Sequence, residues 1–212
     1  MVDMDLRENL NWRAAVKKFD SSRKISHEDL QKLLDCLNLS PSSMGLQPYR
    51  FLHIKSKEIR EKLLPFSFGQ PQVVDASDFI VLASHTQINN EYIQKYADLL
   101  EQERNLAPEF KEAFLNSAKG YLSLMDQDQK MKWAAHQVYL ASGVLLCTAA
   151  SMQIDACPLE GFVNEKYNEI LDLKSYHLHA ELCVALGYRD PSDVISSLKK
   201  VRIPLDQMLI EF

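Results

Sequence analysis

The chain has 212 residues, 46% hydrophobic and 25% charged, and its 6 glycines and 8 prolines exclude a collagen-like or low-complexity sequence. Its 24 basic and 29 acidic residues give a net charge of -5, which leaves no overall positive field for binding nucleic acid. No apolar stretch reaches the roughly 20 residues of a membrane helix, and the charged amino terminus lacks a signal-peptide pattern. We therefore expect one cytoplasmic domain spanning residues 1–212, with neither nucleic acid nor membrane as a partner.

The first half of the chain predicts helices and strands in alternation. Ser26 with Asp29 predicts the cap of a helix whose apolar side chains recur at helical spacing up to the Ser40-Pro41 pair. The segment SPSSMGLQPYRFLHIK begins as a polar loop and ends in a strand. A short helix is predicted over residues 57–64, and the apolar run of residues 79–82 predicts a buried strand.

The second half is mostly helical. Residues 88–104 and 109–125 are amphipathic and predict a helical excursion lying over a core. Residues 130–152 are apolar on nearly all sides, which is typical of a central helix packed on several faces. A short helix, a strand, the basic loop SLKKVRIP and an extended segment PLDQMLIEF follow. Because helices surround only three or four strands without regular βαβ alternation, the sequence favours an α+β fold.

Several common active sites are absent from the sequence. No glycines are spaced as GxGxxG or as a phosphate-binding loop, and neither HExxH nor GxSxG occurs. The four cysteines stand far apart among apolar residues, which predicts small buried side chains rather than disulfides or zinc ligands.

One segment alternates like a set of metal ligands. In a strand, His177, His179, Glu181 and Cys183 would project from one face. The same alternation is typical of any strand with one polar face, and we prefer that interpretation, so no metal site is predicted.

Basic and hydroxyl residues form a second candidate site. Arg13 and Lys17 are four residues apart, which would place them on one face of a helix. Lys200 and Arg202 alternate in the late basic loop. If folding gathered these cations near the serines of the polar loop, an acidic protein would gain a local anion pocket suited to a phosphate monoester. Spacing alone favours the alternative, that these cations are merely solvated.

Four motifs in a fixed order add to this interpretation: RAAVKKFD, SPSSMGLQPYRF, CPLEGF and KVRIP. Together with QPQVVDAS and WAAHQVYLASGVLL between them, they resemble the FMN-dependent nitroreductase family from Asn11 to the C-terminus. Within this family, the chain is similar to oxygen-insensitive NAD(P)H nitroreductases and dihydropteridine reductases. The resemblance implies a three-layer sandwich with a central antiparallel-rich sheet between helices. It also implies an obligate homodimer that exchanges its C-terminal tails.

The resemblance further implies that FMN binds without a covalent bond in a cleft between two subunits. The positions that match the family's cofactor-binding residues are Arg13, Ala15, Lys17, Ser42, Ser43, Gln47, Gly69, Gln72, Gln137, Pro158, Glu160, Gly161, Lys200 and Arg202. By this correspondence Arg13, Lys200 and Arg202 surround the phosphate, and Lys17 lies near the pyrimidine edge. The backbone amide of the turn at Glu160-Gly161 faces the flavin N5.

Five positions depart from the family pattern, two of them Met44-Gly45, where related reductases often have Thr-Asn. Ala15 replaces a usual serine, which removes a phosphate-binding hydroxyl. Gly69 and Gln72 stand where related reductases often have asparagine and lysine. Because a lysine there would lie close to the negative charge of reduced flavin, its loss implies a lower reduction potential and leaves the preferred acceptor open.

The resemblance implies an NAD(P)H oxidoreductase that works by a ping-pong mechanism. NADH or NADPH gives a hydride to the flavin N5, and a nitroaromatic, quinone or pteridine acceptor then takes two electrons. No side chain is expected to act as a catalytic residue, since the cofactor carries the chemistry. One alternative is a non-catalytic protein that holds flavin or a small ligand on the same fold. Another is an interaction protein that binds through the helices at residues 88–125.

The C-terminal segment supports the dimer. PLDQMLIEF carries Leu205, Met208, Leu209, Ile210 and Phe212 beyond the last predicted strand, where a monomer would expose them to solvent. In the family such a tail crosses to the partner and adds to its sheet, which would cover both the apolar side chains and an open strand edge. The alternative, a tail that folds back on its own chain, stays open.

Overall fold

The computed structural model describes residues 5–212. The first four residues, part of the amino terminus on which the signal-peptide prediction rests, lie outside this range. The helices are α1 (Leu6–Trp12), α2 (His27–Asn38), α3 (Lys57–Leu63), α4 (Gln72–Asp75), α5 (Asn90–Arg104), α6 (Pro108–Ser123), α7 (Gln127–Ser151), α8 (Asn164–Ile170) and α9 (Leu205–Met208). The strands are β1 (Tyr49–His53), β2 (Asp78–His85), β3 (Asp155–Leu159) and β4 (Leu178–Gly187).

The four strands form one sheet in the order β1-β2-β4-β3, with every neighbouring pair antiparallel. Side chains alternate between the two faces of β2, so Phe79 and Val81 enter one buried cluster while Ile80 and Leu82 enter another. β1 and β3 are the edge strands. Pro158, which has no N–H for pairing, accordingly lies in the edge strand β3.

Helices cover both faces of the sheet. On one face, α2 and α7 contribute Leu33 and Leu145 to the buried cluster that contains Ile80. On the other face, α3, α4 and α8 supply side chains such as Leu63 and Tyr167, which pack against Phe79. The predicted α+β three-layer sandwich is therefore confirmed.

The helical excursion consists of α5 and α6. A third buried cluster joins these helices, through Ile93 and Leu122, to Trp133 on the first half of α7 and to Leu46 in the loop before β1. α7 is 25 residues long and has buried side chains along its whole length, as the apolar sequence predicts. Within residues 5–212, no helix has both the length and the apolar character required to span a bilayer.

A bulge in β4 reverses the alternation of side chains in the segment that resembles a set of metal ligands. Leu82 pairs with Leu182 but Ala83 pairs with Ala180, so Glu181 is the extra residue. Cys183 then packs in the same buried cluster as Ala180 instead of sharing a polar face with His179. The expectation of one common face is wrong, because the bulge reverses the alternation. In the described part of the chain, no three His, Cys, Asp or Glu side chains are grouped to hold a metal ion.

The chain ends in an exposed tail. All residues from Val201 to Phe212 are exposed, including Leu205 at 75% and Ile210 at 74%. The segment is not extended throughout as predicted, since Leu205–Met208 forms the short helix α9. The apolar side chains of the tail make no part of the three buried clusters.

Candidate functional site: a basic cleft beside an edge strand

The first basic motif lies in an extended segment, not in a helix. α1 ends at Trp12, and Arg13 has extended backbone angles, φ -63° and ψ 140°. The expectation that Arg13 and Lys17 share a helical face is therefore wrong. The two residues reach the site from an extended chain whose intervening Val16 is fully buried in the core. Burial of Val16 thus fixes the segment that carries both cations.

The late basic motif contacts the first directly. The Lys200 ammonium donates a hydrogen bond to the backbone oxygen of Arg13 at 2.5 Å. Partial burial, together with the charges of Arg13 and Arg202, lowers the pKa of Lys200 below its ordinary value. Three cations from opposite ends of the chain are therefore close enough to repel one another.

These two segments enclose a cleft of about 270 Å³. Its lining residues are Asn11, Trp12, Arg13, Ala14, Ala15, Ile195, Ser196, Leu198, Lys199, Lys200, Val201 and Arg202. Within the described part of the chain, this lining contains four cations and no carboxylate. Among residues 5–212, the buried Nε of Arg13 finds no hydrogen-bond partner. An unpaired buried guanidinium nitrogen is costly, and a bound anion would satisfy it.

Lys17 and Gln72 meet at a buried thiol next to the cleft. The Lys17 ammonium lies 3.9 Å from Cys157 Sγ, and the side-chain amide nitrogen of Gln72 lies 4.0 Å from the same sulfur. Burial raises the pKa of Cys157, and the nearby Lys17, Gln72 and Arg13 oppose this shift. The thiol is therefore neutral at pH 7. Lys17 and Gln72 both lie beside β3, at the edge of the sheet.

The turn after β3 is joined to the loop before α4. Gln70 donates from Nε2 to the backbone oxygen of Gly161 at 2.7 Å, and a Cβ at Gly161 would lie only 2.9 Å from that nitrogen. Gly69 has φ +69°, a conformation that favours glycine, and follows Phe68 at φ +49°. The Glu160 carboxylate accepts a hydrogen bond from Tyr139 on α7. Burial and Glu160 both raise the pKa of Tyr139, so the phenol keeps its proton.

The predicted residues of the polar loop belong to a different part of the molecule. Ser43 donates from its backbone N–H to Gln137 Oε1 on α7 at 2.8 Å, and Ser42 Oγ accepts from the backbone of Gln47 at 2.9 Å. The Gln47 side chain donates to the backbone oxygen of Asn38 at 3.0 Å. The loop is thus fixed to α2 and α7, on the side of the third buried cluster.

The structure therefore sorts the fourteen predicted positions into two groups. The first group surrounds the basic cleft and the end of β3: Arg13, Ala15, Lys17, Gly69, Gln72, Pro158, Glu160, Gly161, Lys200 and Arg202. The second group lies in the loop before β1 and on α7: Ser42, Ser43, Gln47 and Gln137. α7 contacts both groups, since Tyr139 donates to Glu160 of the first group and Gln137 accepts from Ser43 of the second.

Sequence reasoning missed the side chains that anchor the cleft. Asp155 is buried and accepts from Arg189 Nε at 3.0 Å and from the other end of the guanidinium at 2.5 Å. The same guanidinium lies 4.3 Å from the ring centroid of Trp12, directly before Arg13. This bidentate pair holds the end of α1 against β3. An Asp and an Arg 34 residues apart give no local signal of such a pair.

Known proteins share the sequence pattern and the fold of this chain. A model of the nitroreductase family matches residues 10–188. The chain belongs to the nitroreductase family. SH0546, a candidate NAD(P)H nitroreductase of Staphylococcus haemolyticus, is 33% identical over 209 residues, which cover 94% of this chain and 93% of the relative. YfkO of Bacillus subtilis, also named as a candidate NAD(P)H nitroreductase, is 32% identical over 84% of this chain and 86% of its own length.

Solved structures of the nitroreductase fold superimpose closely on this chain. A candidate nitroreductase of Exiguobacterium sibiricum, solved in complex with FMN, has a TM-score of 0.86 and 22% identity and covers 100% of this chain and 99% of its own. A candidate NAD(P)H:FMN oxidoreductase of Staphylococcus epidermidis has a TM-score of 0.87 and 23% identity, covering 100% and 98%. These likenesses establish the fold. The family match ends at residue 188, so Lys200 and Arg202 lie beyond it.

Proposed function

We propose that this nitroreductase-family protein is an FMN-dependent NAD(P)H oxidoreductase. The observation that carries the proposal is the basic cleft, where Arg13, Lys200 and Arg202 converge without a neutralising carboxylate in the described lining. A phosphate monoester fits this chemistry, because it would relieve the mutual repulsion and give the unpaired Arg13 Nε an acceptor. The FMN bound by the Exiguobacterium sibiricum relative carries such a phosphate.

In this proposal, each group of residues has a defined task. Arg13, Lys200 and Arg202 hold the phosphate, while Lys17 and Gln72 supply hydrogen-bond donors to the pyrimidine edge of the ring. When bound, FMN supplies a carrier that takes a hydride from NADH or NADPH and passes two electrons to an acceptor. The protein orients the ring and excludes competing geometries, so no nucleophile or acid–base pair is required.

The turn at Glu160-Gly161 would present its backbone to the middle of the ring. Its position is supported by two hydrogen bonds, from Gln70 to the Gly161 carbonyl and from Tyr139 to the Glu160 carboxylate. The side chain of Ala15 lines the cleft but cannot donate to the phosphate, so the cations would bind most of the negative charge.

We further propose that the working unit is a homodimer in which residues 1–212 act as one domain. The exposed apolar tail and the division of the predicted site into two groups both support it. If the tail crosses to a second copy, its leucines and isoleucine become buried, and the loop containing Ser42 and Ser43 of one protomer can complete the cleft of its partner. A cytoplasmic location accords with the four free cysteines, since such thiols persist in a reducing compartment.

The proposed acceptors are small planar molecules: nitroaromatics, quinones or pteridines. The names of SH0546 and YfkO support the nitroaromatic class. Gln72 supports a second candidate, a non-catalytic flavin-binding protein, because its neutral amide adds no positive charge to that of Lys17 beside reduced flavin.

Anaerobic mixing separates the two candidates. For an oxidoreductase, NADH or NADPH bleaches the flavin absorption of the purified protein, and a quinone or nitroaromatic added afterwards restores it. A flavin that is bound but is reduced by neither nucleotide would contradict catalysis and support the binding protein. Repeated cycles with a limiting protein concentration, followed as NAD(P)H oxidation, then show which acceptor is used.

A further inference from the structure

Asp193 joins the two basic segments that form the cleft. Its carboxylate is only 6% exposed and lies in the turn after β4. Oδ1 accepts hydrogen bonds from the backbone nitrogens of Lys17 at 2.9 Å and Lys18 at 3.0 Å. Oδ2 accepts from the backbone nitrogen of Ser196 at 2.7 Å. One carboxylate therefore binds both chain segments through their main-chain groups.

The hydrogen bonds keep this buried carboxylate charged. Burial alone would raise the pKa of Asp193, but the N–H groups of Ser196, Lys17 and Lys18 outweigh burial, and the pKa lies below its ordinary value. Charge-assisted bonds of this type are among the strongest in proteins. The three donors thus form a clamp that persists at neutral pH.

Asp193 supports the cleft through the two segments that line it. Asp193 is not part of the cleft lining, whereas the segments it holds carry Arg13 on one side and Lys200 and Arg202 on the other. These like charges lie close enough to repel one another. Asp193 opposes their separation together with the hydrogen bond from Lys200 to the backbone of Arg13.

We propose that Asp193 is a positioning residue for the anion site. Its carboxylate fixes the backbone of Lys17 and Lys18 against that of Ser196, and so brings Arg13, Lys200 and Arg202 to one phosphate monoester. The inference rests on the proposed function in taking FMN as the source of that phosphate.

Three possible roles of Asp193 predict different results for Asp193→Asn. If the carboxylate mattered only as a nearby negative charge, its removal would tighten the binding of an anion. If it mattered only for the stability of the fold, the affinities for FMN and for riboflavin would fall equally. As a positioning residue, it acts mainly on the cations that hold the phosphate and less on Lys17 at the ring, so FMN binds more weakly and riboflavin loses much less affinity.

The test titrates full-length apoprotein with FMN and with riboflavin and follows flavin fluorescence. We expect Asp193→Asn to weaken FMN about 10- to 100-fold, the loss that corresponds to one or two hydrogen bonds to a charged group. Riboflavin, which lacks the phosphate but still meets Lys17, is expected to lose much less affinity, about threefold at most. The matched control is Asp190→Asn, which removes the same charge from the same turn, where Asp190 contacts the side chains of Ser192 and Lys18. It should leave both affinities unchanged.

Hydrogen exchange supplies a readout that needs no cofactor. The amides of Lys17, Lys18 and Ser196 should exchange faster in Asp193→Asn, while those of β2 remain protected. If that variant fails to fold, Asp193→Glu, which keeps the charge but displaces it, is expected to show the same selective loss of FMN affinity in a smaller degree.

Tighter FMN binding, equal losses of FMN and riboflavin, or unchanged exchange at the three amides would overturn the positioning role. A failure of the proposed function gives a different result, since wild-type protein would then bind FMN no more tightly than riboflavin. In that case faster exchange in Asp193→Asn would still demonstrate the clamp, but its assignment to a flavin phosphate would fall.

Discussion

Two irregular segments carry the cations of the cleft, and they are held in opposite ways. The segment Arg13–Phe19 is anchored in the core by Val16 and by Phe19, which is 4% exposed and bridges to Arg189. The tail from Val201 to Phe212 exposes every residue, although it is as apolar as many core segments. One half of the cleft is therefore completed within the chain, whereas the other half lies on a segment that this chain alone does not cover.

This difference indicates that dimer assembly and cofactor binding are coupled at the segment that leads into the tail. Lys200 directly precedes the exposed tail and Arg202 lies at its start, so burial of the tail also restricts the two cations. Under the proposed function, dimerisation and phosphate binding should therefore support each other, while changes in the anchored segment should act through the stability of the fold.

Deletion of residues 204–212 should have the largest effect. We expect the truncated protein to lose both the dimer, measured by sedimentation, and its bound flavin, because the tail can no longer cross to a partner. A truncated protein that stays dimeric and yellow would contradict the account. So would a full-length protein that sediments as a monomer with flavin in place.

Two alanine substitutions, one in each segment, then compare the anchored segment with the tail. Phe19→Ala removes a buried ring and should lower the free energy of unfolding by about 3–5 kcal/mol. Leu205→Ala, in the tail, should change the unfolding of the dissociated chain by less than about 0.5 kcal/mol and instead weaken the dimer. Denaturant titrations at several protein concentrations measure both quantities. Equal losses in unfolding free energy would show that the tail folds back on its own chain.

The contrast between the two segments also shows how far the sequence is informative. The amphipathic and apolar periodicities of residues 88–152 predict α5, α6 and α7 to within a few residues, since burial on one or all faces leaves a direct pattern. The α+β class and the open tail follow from similar evidence. The arrangement of Arg13 and Lys17 does not, because a spacing of four fits both a helix and an extended chain anchored between them by Val16.

Long-range partners are the second part that the sequence does not reveal. The clamp of Asp193 on Lys17 and Lys18 joins residues 176 and 175 positions apart, and the bulge at Glu181 depends on pairing with β2. Neither leaves a local composition signal. The candidate site residues came from the order of four motifs, and the structure sorts them into two groups that the motifs alone do not distinguish.

Arg202 lies at the start of the tail and lines the cleft. Arg202→Ala should weaken FMN binding roughly 10- to 100-fold, the value for a lost charge-assisted bond. Riboflavin, which lacks the phosphate, should bind almost unchanged. Arg104→Ala provides a control, since it removes the same charge from an exposed position in the last turn of α5, outside the cleft lining. Fluorescence titration of both ligands checks this prediction, and equal losses for FMN and riboflavin would move Arg202 away from the phosphate.

The smallest expected effect is a dependence on alkaline pH. Burial and the nearby arginines lower the pKa of Lys200, so the free protein loses this proton at a lower pH than an unfolded chain does. The free protein therefore gains stability as the pH rises from that lowered pKa towards about 10.4. A bound phosphate stabilises the ammonium and raises its pKa, so FMN affinity should fall as the pH rises through the value of the free protein.

Titrations between roughly pH 7.5 and 10.5 measure this decline, which should stay below about tenfold. Lys200→Met should bind FMN more weakly at the lower pH and show a flatter alkaline profile. An unchanged profile in that variant would assign the titration to another group.

The visible spectrum of the purified protein tests the central claim most directly. The account predicts a yellow protein with flavin absorption, from which heat releases FMN and not FAD, since the cleft between Arg13 and Arg202 is suited to a terminal phosphate monoester. A colourless protein that also fails to bind added FMN would contradict it.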